Sequence, residues 1–169
     1  MKLKQISSWI SFEKMDGLLV NKNIKSWLVE KGPITKRIKS EESFQLNLLK
    51  DEISYVEDVE KEFLDVISNN IKVREVILMG NNIPRVYAKS LIPIRTIDEG
   101  FSKLGKLGTK PLGDILFEKE IFKKTDMVYA QFQNKDSIFW GRKTKYLVKN
   151  MPLSVCLLYT SDAADDNAG

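Results

Sequence analysis

The chain reads as an α+β protein built on an antiparallel sheet. Three observations predict this. Residues 73–79 and 85–92 are rich in β-formers and flank Gly80-Asn81-Asn82, turn residues that tolerate positive φ, so they form a hairpin. Residues 127–133 and 138–148 make a second pair of the same kind. Helical periodicity comes in short groups between these pairs and does not alternate with single strands.

The elements follow in order. Ile24, Trp27 and Leu28 share one helical face, which predicts a short helix over 23–31 stopped by Gly32. Pro33 is well placed to start another helical turn through Ile34, Thr35, Lys36, Arg37 and Ile38. Phe44, Leu46 and Leu48 alternate with Gln45, Asn47 and Leu49, a strand with one polar face. Residues 58–68 read as a helix whose apolar face carries Val59, Phe63, Leu64, Val66 and Ile67. Two short helices are expected at 97–107 and 112–118, separated by Gly108-Thr109-Lys110-Pro111. Pro152 to Tyr159 begins like a last strand.

Composition narrows the chemistry. At 169 residues, 43% of them hydrophobic, the chain can bury one real core. It has no histidine, which excludes Ser-His-Asp and Cys-His nucleophile systems, histidine-held metals and an imidazole pH switch. A single cysteine excludes a disulfide framework and an iron–sulfur cluster. Catalysis must then use carboxylates, Lys, Arg, Tyr, backbone groups and water. No apolar run is long enough for a membrane span, and Ser7, Ser8, Ser11 and Glu13 interrupt any targeting segment, so a cytoplasmic protein is expected. The formal charge of +4 would suit an anionic metabolite. No dense basic run with interleaved aromatics points to nucleic acid. There are 22 lysines but only five arginines: Arg37, Arg74, Arg85, Arg95 and Arg142. The lysines are expected mostly at the solvated surface. Each arginine is worth placing, because its planar fork grips a carboxylate in a way lysine cannot.

Candidate motifs are few. Residues 100–106, Gly100-Phe101-Ser102-Lys103-Leu104-Gly105-Lys106, match the start of a phosphate-cradling loop, but Leu107 stands where Ser or Thr is needed and no buried parallel strand precedes it. A packed turn is the better reading. The acids of Glu57, Asp58, Glu60 and Glu62 read as a charged helix face. Arg74 shares a strand face with Val76 and Leu78, where a lone charge is costly. It is either exposed or salt-bridged, or a partly buried fork for a ligand carboxylate, and sequence leaves these open.

The composition changes after Tyr159, where ten residues contain no lysine and no large apolar side chain. Residues 156–166, Cys-Leu-Leu-Tyr-Thr-Ser-Asp-Ala-Ala-Asp-Asp, resemble the translation of a transposase sequencing adapter. The expectation is one domain over 1–155, followed by a non-native tail over 156–169. Without the tail's three aspartates the formal charge is +7.

Five pieces in order resemble chorismate lyase. They are Trp27 with Pro33-Ile34-Thr35-Lys36-Arg37; Val73-Arg74-Glu75-Val76-Ile77-Leu78; Leu104-Gly105 with Pro111-Leu112-Gly113 and Leu116-Phe117; Trp140-Gly141-Arg142; and Pro152-Leu153. The resemblance covers about residues 15–155. It implies an α+β fold with a six-stranded antiparallel sheet, the last strand being incomplete or non-native here. It implies cleavage of chorismate to 4-hydroxybenzoate and pyruvate, the entry step to ubiquinone, by a monomer without metal or organic cofactor. The family's substrate-carboxylate arginine falls on Arg74, its backbone contact on Leu112 and its apolar contact on Ile34, where Met is usual. Its acidic catalytic residue falls on Leu157, so the chain as written retains no catalytic acid and is expected to be nearly inactive. The competing expectation is a small-molecule-sensing domain of the related regulator effector fold.

Overall fold

The computed structural model of the chain describes residues 3–159. The elements are β1 (Lys4–Gln5), α1 (Phe12–Leu18), α2 (Lys22–Leu28), α3 (Ile34–Lys39), β2 (Phe44–Ile53), α4 (Asp58–Leu64), β3 (Ile71–Gly80), β4 (Ile83–Pro93), α5 (Leu112–Glu118), β5 (Phe122–Asn134), β6 (Ser137–Val148) and β7 (Met151–Tyr159). The strands form a single sheet in the order β1-β5-β6-β7-β4-β3-β2, with every pair antiparallel.

Turn chemistry sets the register. Asn81 and Asn82 join β3 to β4 with φ of 51° and 63°, the left-handed pair that matches the twist of a tight hairpin. Lys149 and Asn150 repeat the device between β6 and β7, at 49° and 64°. A bulge in β2 near Leu49 shifts its pairing with β3, which explains the break in its alternation.

Several elements differ from the sequence reading. Helix α2 stops at Leu28, before Gly32. Helix α4 stops at Leu64 because Asp65 turns left-handed at φ 57°, and Ile67 is left exposed. The segment expected as one helix over 97–107 is a π-helical turn, Thr96–Gly100, followed by a 3-10 turn, Ser102–Gly105. Its glycines serve packing: a Cβ on Gly100 would lie 3.0 Å from Val148, and one on Gly105 3.0 Å from Ile97. No parallel strand leads into it, so the phosphate-loop match lacks its structural context. Strand β1 and helix α1 carry no pattern that the sequence reading recognised, and β1 makes seven strands where six were expected.

Strand β7 occupies the centre of the sheet, between β6 and β4. It continues past Val155 through Cys156, Leu157, Leu158 and Tyr159, in register with both neighbours. A strand covered on both faces favours an unbroken apolar run, and these four residues supply one. Residues 160–169, the remainder of the expected foreign tail, lie outside the described residues.

The sheet is covered unequally. On one face α1, α2 and α3 pack over Val76, Leu78, Ala88 and Trp140, while α5 and the turns before it pack over Tyr146, Val148 and Leu153. On the reverse face α4 covers Ile71, Val73 and Leu91, and the N-terminal segment with Trp9 covers Phe132 and Leu158.

Candidate functional site

A cavity lies between the first face and its helices; with the solvent space at its mouth it spans about 600 Å³. Its floor alternates by the period of two: Arg74, Val76 and Leu78 from β3, Ala88 and Ser90 from β4, Val155 and Leu157 from β7, Arg142 and Tyr146 from β6. Its roof is the start of α3, with Ile34 and Thr35, and the start of α5, from Pro111 to Phe117. Both helices begin after a proline that gives no side-chain cap, Pro33 and Pro111. Ile34 and Leu112 are therefore first residues of uncapped helices, with backbone N–H groups that no capping side chain occupies.

Arg74 is 2% exposed. Its Nη1 donates to the Gly108 carbonyl at 2.9 Å and its Nη2 to the Lys110 carbonyl at 2.9 Å, which ties the loop before α5 to the sheet. Asp51 Oδ2 lies 3.4 Å from Nη1, and Asp51 is shared with Lys72 at 3.3 Å. One carboxylate thus serves two cations, so this end of the cavity keeps a positive excess. Burial draws Arg74 below the usual arginine range and Asp51 opposes that shift. Of the readings left open by the sequence, the exposed one is excluded: Arg74 is buried, with an acid at 3.4 Å and two neutral carbonyls at 2.9 Å.

Leu157 lies beside Arg142 in the register of β6 and β7. No Asp or Glu is among the described residues that line the cavity. Burial raises the hydroxyl pKa of Tyr146 and pushes that of Tyr159 up to about 12, with Arg142 opposing both shifts.

The chorismate lyase family model matches residues 3–165. The chain belongs to the chorismate lyase family.

Its relatives agree. A probable chorismate pyruvate-lyase of Psychromonas ingrahamii is 27% identical over 151 residues, covering 80% of this chain and 81% of that protein. The chorismate pyruvate-lyase of Proteus mirabilis is 28% identical over 148 residues, with 86% and 83% covered. Among solved structures, the effector domain of PhnF from Mycobacterium smegmatis superposes with a TM-score of 0.56 at 13% identity, covering 79% of this chain and 91% of that one. A GntR-family transcriptional regulator from Bacillus cereus gives 0.53 at 8% identity, with 69% and 90% covered. These last two show the fold alone.

The four positions carried over from the chorismate lyase resemblance, Ile34, Arg74, Leu112 and Leu157, come from four separate elements and line one cavity. Sequence reasoning quoted Arg142 within a motif but gave it no role. The usable clue was scarcity, one of five arginines directly after Gly141. A Cβ on Gly141 would lie 2.3 Å from the Leu158 side chain and 2.7 Å from the Phe132 ring, so a larger residue there must displace both. The lysines hold the main surprise: most were expected at the solvated surface, but Lys143 and Lys145 are 2% and 8% exposed. Lys143 pairs with Glu60 at 2.9 Å, which removes Glu60 from the reading of a merely solvated helix face.

Proposed function

We propose that the cavity binds chorismate and that the chain is a chorismate pyruvate-lyase scaffold lacking its acidic residue. The convergence of Ile34, Arg74, Leu112 and Leu157 on one cavity supports this reading. Arg74 holds the ring carboxylate by a charge-assisted hydrogen bond, exchanging part of its present contact with the loop carbonyls. The Leu112 N–H supplies a second donor, and Ile34 with Val76 and Leu78 packs the ring faces.

The reaction breaks the bond between the ring and the enolpyruvyl oxygen. Pyruvate leaves as its enolate, and its methylene carbon takes up one proton, equal to the one that the ring gives up. The ring carbon that bears the hydroxyl loses its proton, and 4-hydroxybenzoate results. Aromatisation drives the step, so the protein's tasks are orientation and proton movement. A carboxyl group at position 157 would sit in an apolar surround that favours its neutral form and beside an arginine that favours its charged form. Leucine can do neither task. Turnover by this chain is therefore slow, and its product would feed ubiquinone synthesis. A cytoplasmic setting agrees with a soluble anionic substrate.

The assay is release of 4-hydroxybenzoate from chorismate by the chain, by Leu157→Glu and by Leu157→Glu with Arg74→Ala. Leu157→Glu is expected to accelerate release about 10²–10⁴-fold, the usual range for a positioned acid or base. Adding Arg74→Ala should remove most of that gain. Absence of both chorismate binding and product release in Leu157→Glu overturns the reading. A second reading, a ligand sensor, draws on the effector-domain likeness and the carboxylate-free lining. It predicts tight binding with no gain from Leu157→Glu.

A further inference from the structure

Arg142 enters the proposed chemistry only as the neighbour of position 157, and its own hydrogen bonds point to a second task. It is 7% exposed and lines the cavity. Among the described residues its hydrogen bonds come from Nη1, to the Leu28 carbonyl at 3.0 Å and the Glu30 carbonyl at 2.8 Å. These bonds anchor the guanidinium to the end of α2 but leave its charge unneutralised. Its Nε is buried and has no hydrogen-bond partner among the described residues. Buried arginine donors without an acceptor are rare, because desolvation is costly unless something is accepted in exchange. Its cross-strand neighbours are Tyr129 on β5 and Leu157 on β7, so neither supplies a carboxylate.

We propose that Arg142 is a second anion anchor, so that the cavity selects a ligand with two carboxylates: one held by Arg74 and the other by the guanidinium of Arg142. The inference rests on the preceding reading that the cavity takes a ring carboxylic acid, and it adds the substrate class. In chorismate the second group is the enolpyruvyl carboxylate. Holding it beside β6 places the ether bond that must break next to position 157. The aromatic product lacks this carboxylate, so one of the two anchors lets go when pyruvate leaves. Arg142 then discriminates substrate from product, which favours release.

The experiment is calorimetric titration of the chain, Arg142→Gln and Arg142→Lys with three ligands at fixed ionic strength: chorismate, isophthalate as a plain dicarboxylate, and 4-hydroxybenzoate. Arg142→Gln is expected to weaken chorismate and isophthalate about thirtyfold, the scale of one buried charge-assisted contact. The same change should alter 4-hydroxybenzoate affinity by less than about threefold, and Arg142→Lys should fall between. Equal weakening of all three ligands overturns the proposal, since a merely structural hold on α2 would act that way. So does unchanged dicarboxylate binding, or a chain that binds neither dicarboxylate. If Arg142→Gln does not fold, Arg142→Lys alone decides by the same ratio. Isophthalate binding that depends on Arg142, without chorismate binding, leaves this inference standing and removes the chorismate reading.

Discussion

Arg142 and Lys143 are consecutive on β6, both buried, and they face opposite sides of the sheet with opposite solutions to the same problem. On the reverse face Lys143 is answered by a carboxylate, Glu60 at 2.9 Å, and by the rings of Trp9 and Phe63, each 4.2 Å from its ammonium. Lys145 is answered the same way by Asp65 at 2.7 Å. On the cavity face Arg74 and Arg142 donate mainly to main-chain carbonyls, which are neutral. Each buried lysine of the reverse face has its own carboxylate, whereas on the cavity face Arg74 shares Asp51 with Lys72 and no ion pair reaches Arg142 among the described residues. A buried cation held by neutral acceptors keeps its field for a ligand, whereas one held by carboxylates pins structure. The reverse face thus reads as architecture and the cavity face as a receptor for anions.

The largest expected effect strikes both faces together. Burial pushes the Cys156 thiol and the Tyr159 hydroxyl up to about 12, and burial with the Glu75 contact raises Tyr87 further. Each group stays protonated in the folded chain while its unfolded counterpart ionises from pH 9 for the thiol and pH 10 for the phenols. The folded state then holds more protons than the unfolded one, so stability falls as pH rises. Below pH 9 this contribution is fully present, and it is lost progressively towards pH 12. Urea midpoints should therefore decline steeply between pH 9 and 12 and stay nearly flat from pH 7 to 8.5 as far as these groups are concerned. A flat profile to pH 11 would remove the argument for both faces at once.

The next effect belongs to the reverse face alone. Glu60→Ala leaves the Lys143 ammonium buried and unpaired. Cutting a buried pair costs about 3–5 kcal/mol in general, and the partial exposure of Glu60 brings the expected loss nearer 2 kcal/mol. Lys143→Met keeps the ring contacts without the charge and should cost less than Glu60→Ala. Chemical denaturation checks the order of the two variants, and a reversed order would mean that the ion pair is not what holds α4 to the sheet. Neither variant should alter ligand affinity, because the side chains lie behind the cavity.

A smaller loss of stability, with a larger loss of binding, is expected on the cavity face. Arg74→Lys keeps the charge but cannot reach the Gly108 and Lys110 carbonyls in parallel. One carbonyl is left without its donor, a cost of about 1 kcal/mol in stability. Carboxylate affinity should fall about tenfold with it, as a fork becomes a point charge. Paired titration and denaturation of this variant distinguish a binding arginine from a loop tether: loss of stability with full affinity would make Arg74 a tether only.

The same contrast explains what could be read from sequence. The hairpin at Asn81-Asn82 announces itself because few residues tolerate its backbone, and β3 because Arg74 and Glu75 break its apolar run on known faces. Arg74, Leu112, Ile34 and Leu157 were reached through the family resemblance, which carries positions from distant elements that local pattern cannot join. Strand β6 defeats alternation: residues 139–146 are all buried, so its two faces carry no hydropathic difference. Lys143 and Lys145 therefore look like surface, and Arg142 like a motif letter. Their difference depends on what lies opposite in space, the carboxylates of α4 and its cap on one side and carbonyls at the end of α2 on the other.

The smallest test compares two tyrosines. Tyr87, on the reverse face, donates its hydroxyl to Glu75. Tyr159, on the cavity face next along β7 from Leu157, buries a hydroxyl that has no partner among the described residues. Removing one member of a satisfied pair leaves a half-buried acceptor short of a bond, whereas removing an unsatisfied hydroxyl relieves a desolvation cost. Tyr87→Phe should lose about 1 kcal/mol. Tyr159→Phe should change stability by less than about 0.5 kcal/mol or raise it slightly. Both substitutions keep the ring, and with it the contact between Tyr159 and Trp27 at 6.0 Å, so packing is held constant while the polar group alone is deleted. Urea midpoints of the two variants at pH 7 give the comparison directly. Equal losses would mean that Tyr159 finds an acceptor in solution, and would weaken the division between a face that satisfies its polar groups internally and one that leaves them for a ligand.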